Sequence, residues 1–350
     1  MIFELPYQRM LILTEGQLGT FSSKTGVSVM RYRRDRVAGV LDSAHAGRPI
    51  ESIVEGLRDI PIFGSVDEAL SVRPDAVLIG IAPSGGALPE RMRGHLVSAL
   101  RNGLSIVSGL HTMLRNDPEL VELAERSGAR IHDIRDAGNI QRISTGKARY
   151  TRAKRVLTVG TDCNIGKMVT SLELRRAAVE AGLDAAFVAT GQTGIMIEGW
   201  GIAIDHVISD FAGGAAEMLV EHVADRQICF IEGQGSLGHP AYSGVTLSLL
   251  HGSCPDAMVM VTRPTRTLHN DWPDCPIRPI TQQIRFYEDA AAMMHPARVV
   301  AVAVNTVGLS TEEAARQIRQ IADETGLPAA DPIRDGPEVL LKAVREAVGL

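Results

Sequence analysis

The residues best suited to chemistry run Gly160-Thr161-Asp162-Cys163-Asn164-Ile165-Gly166-Lys167-Met168-Val169-Thr170. An apolar run, Val156–Val159, precedes them and a helical pattern follows. That order is what a phosphate-binding loop requires. Glycines let the backbone curl so that its N–H groups point at an anion. The helix N-terminus adds partial positive charge, and Lys167 adds a full one. Gly160 through Met168 are therefore expected to hold the phosphates of a nucleotide or a nucleotide-like cofactor.

The loop departs from the ordinary pattern in two ways. Five residues, not four, separate Gly160 from Gly166. Met168 stands where a magnesium-binding hydroxyl is usual, and the nearest hydroxyl is Thr170. A later apolar run, Ile228–Ile231, ends in Glu232-Gly233-Gln234-Gly235-Ser236. A carboxylate at that strand end, facing the loop, could ligate magnesium with Thr170 or act as a base. ATP with magnesium therefore stays open as an alternative occupant.

Other polar groups follow strand ends, where parallel sheets bind ligands. Gln192 and Thr193 lie in Thr190-Gly191-Gln192-Thr193-Gly194 and are candidate substrate contacts. Asp210 could contact a metal or an amine, or cap a helix. His239 and His251 are candidate proton carriers. Arg263 and Arg266 suit a substrate carboxylate, because guanidinium matches carboxylate geometry. Asn305 could read a base edge. The histidine and cysteine spacings carry no metal-ligand signature.

These groups need parallel strands to carry them. Short apolar runs alternate with helical stretches throughout, the rhythm of βαβ units. Expected strands are Met10–Thr14, Val37–Leu41, Ala76–Ile81, Ser105–Ser108 and Arg130–Asp133 in the first half. Val156–Val159, Ala186–Ala189, Ile228–Ile231, Ala257–Val261 and Val299–Val304 follow in the second. Helices expected at Pro89–Asn102 and Pro118–Ser127 begin at proline and are followed by Gly103 and Gly128. Lys167–Ala181 and Thr311–Thr325 likewise run into glycine.

The pattern predicts an α/β chain of two domains. Residues 1–150 form a Rossmann-like domain and residues 151–350 a P-loop NTPase-like domain with a doubly wound parallel sheet. The basic stretch Gln141–Arg155 is either a solvated linker or leans toward bound phosphate. In the first domain Glu15-Gly16-Gln17-Leu18-Gly19 is an incomplete dinucleotide fingerprint. Asp42 sits where a ribose-binding acid would, and Ala82-Pro83-Ser84-Gly85-Gly86 follows another strand end.

Bulk properties exclude several classes. A net charge of −5 argues against a general nucleic-acid binder. No apolar run is long enough to span a bilayer. The first residues do not read as a secretory signal. Four scattered cysteines suit a reducing cytoplasm, so a cytoplasmic protein without nucleic-acid or membrane partners is expected. A homo-oligomer is expected as well.

Gly-Thr-Asp-x-x-x-Gly-Lys with a later Glu-Gly-x-Gly turn resembles dethiobiotin synthetase and its relatives. Adding Thr190–Gly194 and His239-Pro240-Ala241-Tyr242-Ser243-Gly244, the chain resembles a two-domain P-loop family that includes D-glutamate N-acetyltransferases. The resemblance is strongest from Val156 to Gly252. It implies acetyl transfer from acetyl-CoA to the amine of a D-amino acid, most simply D-glutamate. For that chemistry Lys167 is expected on anionic oxygens, Glu232 or His239 as base, and Arg263 or Arg266 on substrate carboxylates, while Asn305 stands where relatives contact the nucleotide base. A dethiobiotin-type ATP-dependent ligase and a nucleotide-binding regulator remain the alternatives.

Overall fold

In the computed structural model, which describes residues 2–83 and 86–350, the chain divides into two units. One comprises Phe3–Ala137 with Ile195–Ala203; the other comprises Gly138–Gly194 with Ile204–Leu350, together with Ile2.

The first unit runs β1 (Phe3–Glu4), β2 (Met10–Leu13), α1 (Lys24–Tyr32), β3 (Val37–Leu41), β4 (Ile62–Phe63), α2 (Val66–Ala69), β5 (Ala76–Ile79), α3 (Glu90–Arg101), β6 (Ser105–Ser108), α4 (Pro118–Ser127) and β7 (Ile131–Asp133). The second runs β8 (Lys154–Gly160), α5 (Lys167–Glu180), β9 (Ala185–Val188), α6 (Gln192–Glu198), β10 (Trp200–Gly201), α7 (Ser209–His222), β11 (Ile228–Ile231), α8 (Ser243–Ser253), β12 (Ala257–Thr262), α9 (Ile280–Ala292), β13 (Arg298–Val304), α10 (Thr311–Thr325), β14 (Ala329–Ala330) and α11 (Glu338–Val348). Of these, β10 and the Ile195–Glu198 part of α6 belong to the first unit, where β10 pairs antiparallel with β1.

Both main sheets are parallel. The orders are β4-β3-β2-β5-β6-β7 and β14-β13-β12-β8-β11-β9. Strands β2, β5, β6, β11 and β12 are buried along their whole length, as expected for strands covered on both faces. The chain is thus a Rossmann-like unit followed by a P-loop unit. The helix punctuation works as its chemistry predicts. Asp117 caps α4 at the N–H groups of Glu119 and Leu120, and Ser310 with Glu313 forms a capping box on α10.

The basic stretch between the halves is partly anchored in the second unit, through Arg142 and Arg155. Residues 138–150 belong to the second unit, so the compact boundary falls at Gly138 rather than near 150. Glu217, fully buried on α7, accepts from Arg142 Nη2 (2.8 Å), Thr145 Oγ1 (3.0 Å) and the N–H groups of Thr145 (3.0 Å) and Lys147 (2.7 Å). Arg142 also reaches Glu221 at 2.6 Å. Gly214 permits this seat, because a β-carbon there would collide with the Arg142 carbonyl. Arg155 is buried against Asp256 at 2.6 Å.

In the first unit, several groups a dinucleotide would need are already engaged. Both carboxylate oxygens of buried Asp42 are used: Oδ2 accepts from Thr14 Oγ1 (2.8 Å) and Leu18 N (3.1 Å), and Oδ1 pairs with His45 Nδ1 (2.8 Å). The Gly26 N–H in the first turn of α1 donates to the Gly80 carbonyl at 2.8 Å. A pyrophosphate would need such N–H groups. Glu15 is held by Ser43 and by His95 at 2.9 Å. Ser84 and Gly85 of the third expected turn lie outside the described residues.

Candidate functional site

β8 delivers Gly160 at the carboxyl edge of the second sheet, and α5 starts at Lys167, so the intervening residues must turn sharply. Asn164 (φ 53°) and Gly166 (φ 112°) supply the left-handed backbone that the turn needs. Ile165 anchors the loop in the core formed by Val156, Phe230 and Val261.

The loop is braced from several directions. Thr161 N–H donates to the Val261 carbonyl at 3.0 Å. Asn305 Nδ2 donates to the Ile165 carbonyl at 2.9 Å. Arg266 Nη1 donates to Asp162 Oδ2 (3.0 Å) and to the Cys163 carbonyl (2.8 Å). His269 Nδ1 meets Asp162 Oδ1 at 3.1 Å, and Asn270 N–H donates to Oδ2 at 2.9 Å. These partners hold the Asp162 carboxyl below the usual carboxylate range, against the opposing effect of its burial. Asp162 is therefore a loop-bracing acid. Arg266 Nη1 and Asn305 Nδ2, expected on substrate and base, donate to the loop instead.

Two further braces come from α9. Tyr287, fully buried, donates its hydroxyl to the Gly160 carbonyl (2.9 Å) and accepts from Leu237 N–H (3.0 Å). One turn earlier, Gln283 Nε2 donates to the carbonyls of Thr161 (3.4 Å) and Arg278 (3.2 Å). Neither residue stands out in the sequence. The available signal is their spacing with Ile280, Ala290 and Ala291, which puts a glutamine and a tyrosine on a buried helix face. Tyr287→Phe should strand the Gly160 carbonyl and the Leu237 N–H. A buried unpaired group costs about 1–3 kcal/mol, so urea unfolding should show a loss of at least that size with an unchanged m-value.

Lys167 is buried, and its Nζ donates to the Asp162 carbonyl at 2.7 Å, across the mouth of the loop. Burial lowers its pKa to about 8. Cys163 is no activated nucleophile, because burial raises its thiol to about 11. Glu232, at the end of β11, is buried, and its Oε2 accepts from the N–H groups of Thr190 (3.0 Å) and Gly191 (3.1 Å). Burial raises its pKa to about 7, with those bonds pulling the other way. Gly194 lies flush against the carboxylate, where any β-carbon would collide. The Thr190–Gly194 turn, with Gln192 and Thr193 opening α6, is thus folded around Glu232.

The remaining expected residues fare differently. The His239 ring is locked: Nδ1 accepts from Ala241 N–H (3.1 Å), so Nε2 must carry the proton it gives to the Asn270 carbonyl (3.0 Å). His251 caps the Ala290 carbonyl at 2.9 Å and is structural. Asp210 is exposed in the first turn of α7, where a carboxylate complements the helix dipole. Arg263 is half-buried, and its Nε donates to Thr265 Oγ1 at 3.2 Å. Thr170 is buried a turn into α5.

A metal fits these groups poorly. Among the described residues, Asp162, His239 and His269 cluster within 4.8 Å by their ligand atoms. Both His239 nitrogens are already engaged, Nδ1 as acceptor and Nε2 as donor, and Arg266 already neutralises Asp162. For magnesium, Glu232 has one oxygen committed to two N–H groups, and Met168 replaces the usual hydroxyl.

Comparison with known proteins agrees with this architecture. A family described as a domain of unknown function, DUF1611_C, P-loop domain, matches residues 142–341, and its partner, DUF1611_N, Rossmann-like domain, matches residues 43–137. The chain belongs to the DUF1611 family. A DUF1611 protein of Anabaena variabilis has a crystal structure that superposes with a TM-score of 0.91 at 42% identity, over 97% of this chain and 99% of that one. A relative from a Pseudoalteromonas species, named D-glutamate N-acetyltransferase, is 41% identical over 79% of this chain and 83% of its own length. Another from Tritonibacter scottomollicae, with the same name, is 35% identical over 98% and 99%. No helix among the described residues is long and apolar enough to cross a membrane.

Proposed function

We propose that this DUF1611 protein is an N-acetyltransferase that moves the acetyl group of acetyl-CoA to the amine of a D-amino acid, with D-glutamate the first substrate to test. The observation that carries the reading is a rigidly braced phosphate loop whose lysine is present and whose metal-binding hydroxyl is missing. Such a loop suits the phosphates of coenzyme A, with the chemistry elsewhere, at the thioester. The names of the two relatives support the same activity.

In this reading the loop N–H groups and Lys167 hold the phosphates, and Arg263 meets a substrate carboxylate. Glu232 positions the Thr190–Gly194 turn beside the loop. An ionised carboxylate accepts N–H bonds better than a neutral acid. The turn is therefore best held when Glu232 has lost its proton.

Mixing the protein with acetyl-CoA and a panel of D- and L-amino acids, and following free thiol, tests the activity. A parallel arm supplies Mg–ATP and measures ADP. Thiol release dependent on D-glutamate is the expected result; ADP without thiol release would establish the ligase instead.

The pH profile follows from the two shifted groups. kcat/KM should fall below about pH 7, as Glu232 takes up its proton, and above about pH 8, as free Lys167 loses its own. Bound phosphate favours the lysine's charge, so the alkaline limb of kcat should lie higher. Glu232→Gln should flatten the acid limb. An acid limb unchanged in that variant would remove Glu232 from this role.

A further inference from the structure

Helix α7 and the segment laid along it carry a patch that plays no part in the acetyl-transfer reading. A β-carbon on Gly213 would stand 3.4 Å from Ser144 Cβ, and one on Gly214 would stand 3.1 Å from the carbonyl carbon of Ile143. Thr145 and Lys147 donate their N–H groups to Glu217 at 3.0 and 2.7 Å. Ile143 is therefore seated at the level of Gly214, and Lys147 at that of Glu217. Asp210 precedes these two α7 positions by four and seven residues. At 1.5 Å per residue they lie about 6 and 10 Å further along the axis. Ile208 caps the near end of the helix, and Tyr150 ends the short turn that Lys147 begins. Along the helix the order is Ile208, Asp210, Ile143, Lys147, Tyr150.

The apolar members are unusually open. Ile143 is 68% exposed, Ile208 66% and Tyr150 76%. They are three of the four most exposed bulky apolar side chains described in the P-loop unit, Met293 being the other. Single exposed apolar residues are ordinary, but a group of them rimmed by charge marks an interaction surface. Asp210 and Lys147 are exposed, and neither forms an ion pair with a described residue. Arg149 adds a second cation at the Lys147 end, with its guanidinium 4.9 Å from the Tyr150 ring centre.

The order of the charges selects the occupant. The patch has an acid at one end, a base at the other and an isoleucine between them. A two-fold axis at Ile143 turns it end for end, so that every charge meets its opposite and Ile208 meets the partner's Tyr150. Such self-complementarity is what an isologous contact requires. A nucleic acid or an anionic membrane would find Asp210 repulsive. We propose that a second copy of this chain docks here, across a two-fold axis at Ile143, with Asp210 of each protomer paired to the partner's Lys147.

Sedimentation velocity on the full chain, over a dilution series, tests this. The wild type should form a dimer that dissociates on dilution, and more readily at high salt. Ile143→Asp puts two carboxylates together at the axis and should raise the dimer Kd on the order of 100-fold. Asp210→Lys and Lys147→Asp each create two like-charge contacts and should each raise it about tenfold or more. Mixed together, these two variants should recover wild-type dimerisation, because both contacts then join opposite charges. Damage to the fold could not be repaired by mixing. A wild type that stays monomeric, a dimer indifferent to Ile143→Asp, or mixed variants no tighter than either alone would overturn the inference. So would a monomer that cosediments with phosphatidylserine vesicles through Ile143, which would give the patch to a membrane. If Ile143→Asp does not fold, the mixing experiment decides, since both of its substitutions fall on exposed side chains.

Discussion

Replacing Lys167 with alanine should weaken acetyl-CoA binding by roughly 10- to 100-fold in isothermal titration. The estimate corresponds to the loss of a hydrogen bond to a charged group, about 1.5–3 kcal/mol. Lys167 is buried, so its ammonium is poorly solvated before any phosphate arrives. Its nearest acceptor is the neutral Asp162 carbonyl at 2.7 Å. A phosphate oxygen offers a full negative charge in place of that partner. The variant should keep its fold, because alanine removes a charge whose burial is itself costly. Affinity for acetyl-CoA unchanged in Lys167→Ala would mean that the loop does not hold the cofactor's phosphates.

The second large effect is structural. Gly233→Ala should cost about 3 kcal/mol or more in urea unfolding, or prevent folding altogether. A β-carbon at Gly233 would collide with the Thr158 carbonyl on β8 and stand 3.0 Å from Lys167 Cδ. The obstacle is largely backbone, which cannot rotate away, so the cost should exceed the 1–3 kcal/mol typical of side-chain overpacking. The Gly233 N–H also donates to Thr158 Oγ1 at 3.1 Å, and that hydroxyl meets Ser171 Oγ at 2.9 Å. β8, α5 and the turn after β11 are fastened at one point, directly under the lysine. Wild-type stability in Gly233→Ala would show that this close approach is dispensable.

These two residues also show what the sequence makes legible. Lys167 and Glu232 are readable because each sits at a fixed offset from a glycine at the end of a buried strand. The offset alone implies a loop and a facing turn. Strands such as Val37–Leu41 and Ile228–Ile231 are readable because burial on both faces demands unbroken apolar runs. The partners that finish the site are not readable in the same way. Tyr287 and His269 lie 127 and 107 residues from their loop contacts. The irregular stretch that carries His269 has neither period. Arg266 was expected on a substrate because its type suits one, yet the same fork of donors suits a backbone carbonyl and a carboxylate of the protein itself. His239 misled for a similar reason. Imidazole beside a phosphate site suggests proton transfer, and only the bonds at both nitrogens reveal a fixed strut.

The short ribbon of β1 and β10 bears on how the protein is made. Residues 195–203 complete the first unit, although they follow the phosphate loop in the chain. Phe3 pairs with Gly201, Leu5 N–H reaches the Gly199 carbonyl at 2.7 Å, and Arg33 Nη1 reaches the Ile197 carbonyl at 3.0 Å. During synthesis, domains usually close in the order in which they leave the ribosome. Here the Rossmann-like domain keeps an unpaired edge at β1 until Trp200 and Gly201 have been translated. By then β8, the loop and α5 have also emerged. The nascent chain cannot finish its first domain before it has begun its second.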